Sequence, residues 1–522
     1  MVTLFPKIST KNAGLDGQFL RIIVIWLLLL AVSVSLFAVV ELYAYFSWEK
    51  VLFVELSLGM LVYLIWELFR EHSYNKHNYF LSPAVLASIV TFILSFVLGN
   101  FFFISDDAKY ELGWLGWGSP YPWMNKAVAC AFIGAFMMWR GYRLQASRRL
   151  GRRLRAFLLR RGFLRTELNI RWPAVFLLLS LSIYVRFLQA RLGIFGYSAE
   201  LTSLHRFAAY KQWLDMATTS SRLILVVVAL AYFSKGKRTT LWIKALFWSV
   251  LFMEVGFGFL SGFKGQTVFP IIVVGMIYYI FKRKLPWKWV AVMLLILPLS
   301  YQVIEPFREY RLYRLDFQNK DLTEIAEVVG RMFIIVGSNN DEIYVPNVEG
   351  FFKQLNLTKF AAGAIAHRDN LRLDETDPQF ISRIVMSPLY AYIPRIVWPQ
   401  KPVSNLGLWY NIKVRGMPEN TLSSVGMSPV GYLYLGGGIV AIVIVFWVIG
   451  IIQRICFECL TNSGIGAWIV YFGLLYNLVV INSAVDSIFV GLFRFFPILI
   501  LAQLILLRKT NSRQIIISRQ TL

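Results

Sequence analysis

The sequence predicts an all-α polytopic membrane protein with about twelve transmembrane helices. Three observations predict it. Of the 522 residues, 57% are apolar and 16% charged, whereas a soluble domain carries about a quarter charged residues. The apolar residues gather in runs of roughly 15 to 23, long enough to cross a bilayer as helices. Between two of these runs lie the 26 residues from Arg140 to Arg165, with ten arginines and no acid. Arginine resists translocation, so this block holds one face of the protein in the cytoplasm.

Taken in order, the first run, 20–40, is too long for a secretory h-region and lacks a small-residue cleavage site, so it reads as a retained span. Further runs lie near 51–69, 81–103, 125–139, 172–189, 221–233, 241–260, 267–281 and 289–304. After a long hydrophilic interval come 426–450, 465–482 and 487–507. The run 221–233 is short and 289–304 contains Pro298, so these two are candidates for tilt or re-entry. Counted outward from the arginine block, short inside loops hold 27 Lys or Arg and short outside loops hold seven. Both termini are therefore expected in the cytoplasm.

The net charge of +24 would draw a soluble chain to nucleic acid. Here the excess sits in short connections beside apolar spans, where anionic lipid headgroups are the partner, and nucleic acid is excluded. Trp114, Trp117, Tyr121 and Trp123 suit headgroup depth, with stacking on pyranose rings as the alternative. Cys130, Cys456 and Cys459 are too few for a disulfide framework, and the CxxC at Cys456 has no second pair. No internal repeat is visible.

Three segments result: 1–304 with spans 1–9, a large, mainly helical external domain at 305–425 between spans 9 and 10, and 426–522 with spans 10–12 and a short cytoplasmic tail. The external segment holds 14 basic and 14 acidic residues and no cysteine. Near its start Arg308, Arg311 and Arg314 recur three apart, which on a helix places them along one side. Guanidinium groups bind phosphate bidentately; pairing with Glu305, Glu309 and Asp316 is the competing reading. Leu322 to Val336 has the spacing of an amphipathic helix. His367 has the chemistry of a proton acceptor, and a merely hydrogen-bonded histidine fits equally. The acids Asp374, Glu375 and Asp377 have the oxygen ligands for a divalent cation, but no histidine and carboxylate combination has metal-site spacing, so no metal is expected.

Ionisable residues within spans default to functional candidates. Glu254, Lys264 in the turn Ser261 to Gln266, Asp486 and Arg494 should all lie toward the external face. They read either as a cationic cavity open to the outside or as buried ion pairs joining helices.

The stretch Ile393-Pro-Arg-Ile-Val-Trp-Pro-Gln-Lys-Pro402, followed by Pro429, Tyr432 and Gly436 to Gly438, resembles the PR-x-x-WP-x-KP signature of O-antigen polymerase-like (Wzy-type) proteins. The turn Ser261-Gly-Phe-Lys-Gly265 resembles that family's SGSRG element, with Lys264 for arginine and Phe263 for serine. The resemblance covers roughly residues 220 to 500. It implies a cofactor-free, metal-independent glycosyltransferase of the GT-C type, similar in plan to O-antigen ligases. Such an enzyme polymerises oligosaccharide repeat units on undecaprenyl diphosphate at the outer leaflet of the bacterial cytoplasmic membrane, beside a flippase and a chain-length regulator. By this resemblance Arg308, Arg395, His367 and Glu254 would act in catalysis, and Lys264, Arg311, Arg314 and Arg494 would hold diphosphate. Ligase-type transfer to another acceptor, a transporter or flippase of lipid-linked oligosaccharide, and an assembly scaffold are the alternative classes.

Overall fold

The computed structural model describes residues 48–75, 78–101, 119–196, 207–283, 355–370, 377–395, 397–402, 406–419, 425–461, 463–481 and 484–509. The expected spans 20–40 and 289–304, the helix 322–336, and Arg308, Arg311 and Arg314 lie outside the described residues. Every regular element among those described is helical, and the one pairing of extended backbone is an isolated bridge between Ile170 and Leu507.

Among the described residues, seven helices are long and apolar enough to cross a membrane. They belong to α1 (Trp48–Tyr74), α5 (Trp172–Arg191), α6 (Ala208–Lys235), α7 (Leu241–Leu260), α8 (Lys264–Lys282), α13 (Pro429–Leu460) and α15 (Val485–Leu506). Between them lie α2 (Pro83–Ala87), α3 (Tyr121–Arg143), α4 (Gln145–Arg160) and α14 (Ile465–Val479). The segment after residue 354 adds the short helices α9 (Thr358–Asn370), α10 (Phe380–Val385), α11 (Ser387–Tyr392) and α12 (Leu406–Lys413).

Two apolar cores form. One joins α1, α2, α3, α9 and α13 around Phe92, Trp139, Tyr410, Tyr432 and Phe446. The other joins α5, α6, α7, α8 and α14 around Val227, Phe247, Ile277 and Tyr471. Ile452 and Leu492 pack against both.

Several elements depart from the hydropathy pattern. The arginine block is a helix, α4. Arginine is a good helix former, and Ser147, Gly151 and Leu158 bury one face against the end of α13, where Arg148 and Arg152 reach Glu458 at 3.4 and 3.7 Å. The short run 221–233 extends back to Ala208, because the polar residues that hide its start find partners inside the bundle: Ser221 Oγ accepts from Ser182 at 2.9 Å. The run 81–103 continues from α2 as a π-helical segment, Ser88–Leu98. The Ser95 carbonyl accepts the Leu357 N–H at 3.1 Å, so the widened turn docks the chain that leads into α9. Helix α13 breaks at Gly437 and Gly438, the latter at φ +64°, a conformation open to glycine.

Helix α3 fixes the two ends of the bundle. At its start Lys126 Nζ lies 2.5 Å from Asp369 of α9, and α4 follows its far end. The helices α9 to α12 and the arginine-rich α4 therefore sit at opposite ends.

Candidate functional site

The motif residues 394–402 fold as two successive turns that bring the chain back upon α11. Pro394 prevents α11 from continuing, and its carbonyl accepts from the Val397 and Trp398 N–H groups at 3.0 Å each, after which Lys401 N–H donates to Trp398 O at 3.1 Å. The return places Lys401 Nζ 2.5 Å from the Tyr390 carbonyl and 3.1 Å from that of Ile393. From α15, Arg494 donates to the same Tyr390 carbonyl at 3.2 Å and to Ala391 at 3.4 Å. Arg395 donates to Pro402 O at 2.8 Å and so closes the loop. The last carbonyls of a helix carry partial negative charge, which is why two cations converge on this short one.

Three cations thus meet without a carboxylate within ion-pair distance among the described residues. The acid of α15, Asp486, pairs instead with Arg383 of α10, at 3.8 Å. Burial pushes the Lys401 ammonium down to about 8, with Arg494 and Arg395 adding repulsion. Desolvation also lowers Arg395 from its ordinary value. Lysine loses its charge as pH rises through its pKa, so anion binding at this loop should weaken from about pH 8 upward. In a pH titration of diphosphate binding, Lys401→Arg should remove that decline, since arginine stays charged; a decline unchanged in Lys401→Arg would assign it elsewhere.

His367 lies apart from this group. It sits in α9 with its ring edge-on to Trp409, centroids 6.1 Å apart, and none of Arg395, Lys401 and Arg494 bonds to it. Its neighbours form a second cluster: the Arg368 guanidinium donates to the Tyr434 carbonyl at the break in α13, and Tyr434 Oη donates to Asp369 at 3.0 Å. Lys126 lies over the Tyr434 ring at 5.1 Å.

Glu254 of α7 belongs to a third group. Arg186 of α5 approaches both of its oxygens, at 2.8 and 3.0 Å, and also donates to Ser221 at 2.9 Å. Arg222 of α6 reaches it at 3.7 Å. The carboxylate is 2% exposed, and breaking a buried pair by removing one partner costs about 3–5 kcal/mol. Arg186→Leu should therefore lower thermal stability sharply, and adding Glu254→Leu should recover much of it. Simple additivity of the two losses would show that the pair is uncoupled.

Lys264 opens α8, following a turn in which Gly262 has φ +72°. The next residue, Gly265, faces the Tyr476 hydroxyl.

The structure therefore unites Arg395 with Arg494 and leaves Glu254 and His367 in separate groups. Sequence reasoning passed over Lys401, although the motif itself contains it, and over Arg186 and Arg222. The signal for these two was their charge within apolar runs, which hydropathy averaging conceals. Among the described residues no three His, Cys, Asp or Glu side chains gather as a metal site. Comparison with protein-family models, with curated proteins and with solved structures finds no match.

Proposed function

We propose that this protein is a membrane glycosyltransferase of GT-C plan that extends oligosaccharide repeat units carried on undecaprenyl diphosphate. The observation that carries the reading is the meeting of Arg395, Lys401 and Arg494 around the end of α11 with no carboxylate within ion-pair distance among the described residues. Fixed cations of this kind stabilise a leaving group on which negative charge develops, and such electrostatic stabilisation is a large catalytic term. In the proposed step an acceptor hydroxyl oxygen bonds to the anomeric carbon while the bond from that carbon to the diphosphate oxygen breaks. The electron pair leaves on the diphosphate. The hydroxyl proton passes to His367 or to a carboxylate; Glu254, expected in this role, is held by both its oxygens on Arg186 in a separate group. Arg308, Arg311, Arg314 and Lys264 complete the proposed set of cations.

The cations lie at the end of the bundle opposite the arginine-rich α4. With α4 cytoplasmic, they face the outer leaflet of a bacterial cytoplasmic membrane, where a flipped substrate waits. Twelve spans with both termini inside belong to the same proposal, as do a flippase and a chain-length regulator as partners.

Gene deletion followed by mass analysis of the undecaprenyl-linked saccharides tests the reading. Single repeats should accumulate on the outer leaflet. Repeats held on the inner leaflet would instead identify a flippase, and full-length polymer lacking its final acceptor would identify a ligase. Purified protein should keep its activity in excess chelator; loss of turnover restored by a divalent cation would overturn the metal-independent mechanism.

A further inference from the structure

Among the described residues, the Glu254 group holds one more positive than negative charge inside the bundle. Two guanidinium groups share one carboxylate, and they share it unequally. Arg186 holds both oxygens and is 6% exposed, whereas Arg222 meets it through Nε alone at 3.7 Å and is 35% exposed. Arg222 makes no hydrogen bond to any described residue. The acid on Arg222's own helix, Asp215, is paired with Lys211 at 3.1 Å and accepts from Gln189 at 2.8 Å. Arg222 lies near the middle of α6, about 20 Å from either end at 1.5 Å per residue. A second cation on one carboxylate at that depth is costly unless water or an anion meets it.

The exposure of Arg222 is toward a cavity of about 220 Å³ between α6, α8, α14 and α15. Thr219, Tyr476 and Asn477 supply polar groups beside the guanidinium, and Val226, Phe269 and Phe495 supply hydrocarbon walls. The cavity has room for a phosphate with the first carbons of an apolar chain.

We infer that the Arg222 cavity is an anion site within the apolar layer, which takes the phosphate of a lipid with its first methylene or isoprene carbons against Phe269 and Phe495. Guanidinium suits this because it stays charged on desolvation and binds phosphate by a planar fork. The site is separate from the Arg395, Lys401 and Arg494 group: Phe495 lines it, while the preceding residue, Arg494, bonds to α11. It does not depend on the protein being a transferase.

The test is photolabelling of the purified full chain in nanodiscs with a diazirine analogue of farnesyl phosphate, with labelled peptides mapped by mass spectrometry. Label is expected on α8 near Phe269 and on α14 near Tyr476, reduced at least tenfold in Arg222→Gln and displaced by farnesyl phosphate. Lys401→Gln should leave this label unchanged, which separates the site from any failure of the glycosyl-transfer reading. Undiminished labelling in an Arg222→Gln protein that melts like the native one would overturn the inference. So would equal displacement by farnesol, which would show a purely hydrocarbon pocket, or by inorganic phosphate, which would assign the cavity to free phosphate. If Arg222→Gln does not fold, Asn477→Leu and the competition series in the native protein decide the matter by the same outcomes.

Discussion

Gly450→Leu is expected to abolish the folded protein. Helices α3 and α13 touch backbone to backbone at two points. A Cβ added at Gly450 would lie 1.9 Å from the Met138 carbonyl oxygen, and one added at Gly141 would lie 2.0 Å from that of Trp447. Neither neighbour is the movable tip of a side chain, so the helices themselves must separate. Membrane helices associate through close packing of small residues, because hydrocarbon offers no hydrophobic drive between them. Separation would strip the contacts of Phe446, Trp139 and Tyr142, which are all fully buried. Gly256→Ala on α7, where nothing lies within 4 Å, serves as the control. The comparison is made by yield of monodisperse protein after extraction and by thermal melting. A Gly450→Leu protein that extracts and melts like the native chain would remove this contact from the fold.

The second large effect concerns the cations at α11. Arg494→Ala and Arg395→Ala should each reduce polymer formation by about a hundredfold or more, the scale set by removing one preorganised donor from developing charge. Arg494 also steadies the Tyr390 and Ala391 carbonyls, so loss of activity alone would not separate chemistry from scaffolding. Arg494→Gln keeps hydrogen-bond donors for those carbonyls without the charge. If charge is what matters, Arg494→Gln fails like alanine while membrane insertion and melting stay native. Polymer of normal length in Arg494→Gln would make Arg494 a fastener of the loop and would withdraw it from the site. Arg308→Ala is expected to behave like Arg395→Ala, with polymer lost and protein level retained.

Part of the site was legible in the sequence and part was not. The proline and tryptophan punctuation of residues 394–402 identified Arg395 because a motif is local in the chain. Arg494 was legible because a lone arginine in an apolar run stands out. That these two lie beside one short helix end could not be read, since they are 99 residues apart: Arg494 bonds to the Tyr390 and Ala391 carbonyls, and Arg395 closes the following loop on Pro402. Arg222 was hidden for a different reason. It lies at the very start of the apolar run 221–233, where Thr218 to Ser221 make it read as a flanking charge rather than one near the middle of a helix.

Composition and periodicity alone determined that the chain is helical and made for a bilayer, because the length of an apolar run and the sign of its flanking charges are properties of the chain itself. Tertiary structure alone decided which charges neutralise one another. It paired Glu254 closely with Arg186 and more distantly with Arg222, seated His367 beside Trp409, and left Arg395, Lys401 and Arg494 without a carboxylate within ion-pair distance among the described residues. Charge compensation acts over a few ångströms between helices distant in sequence, so it exists only once those helices have packed.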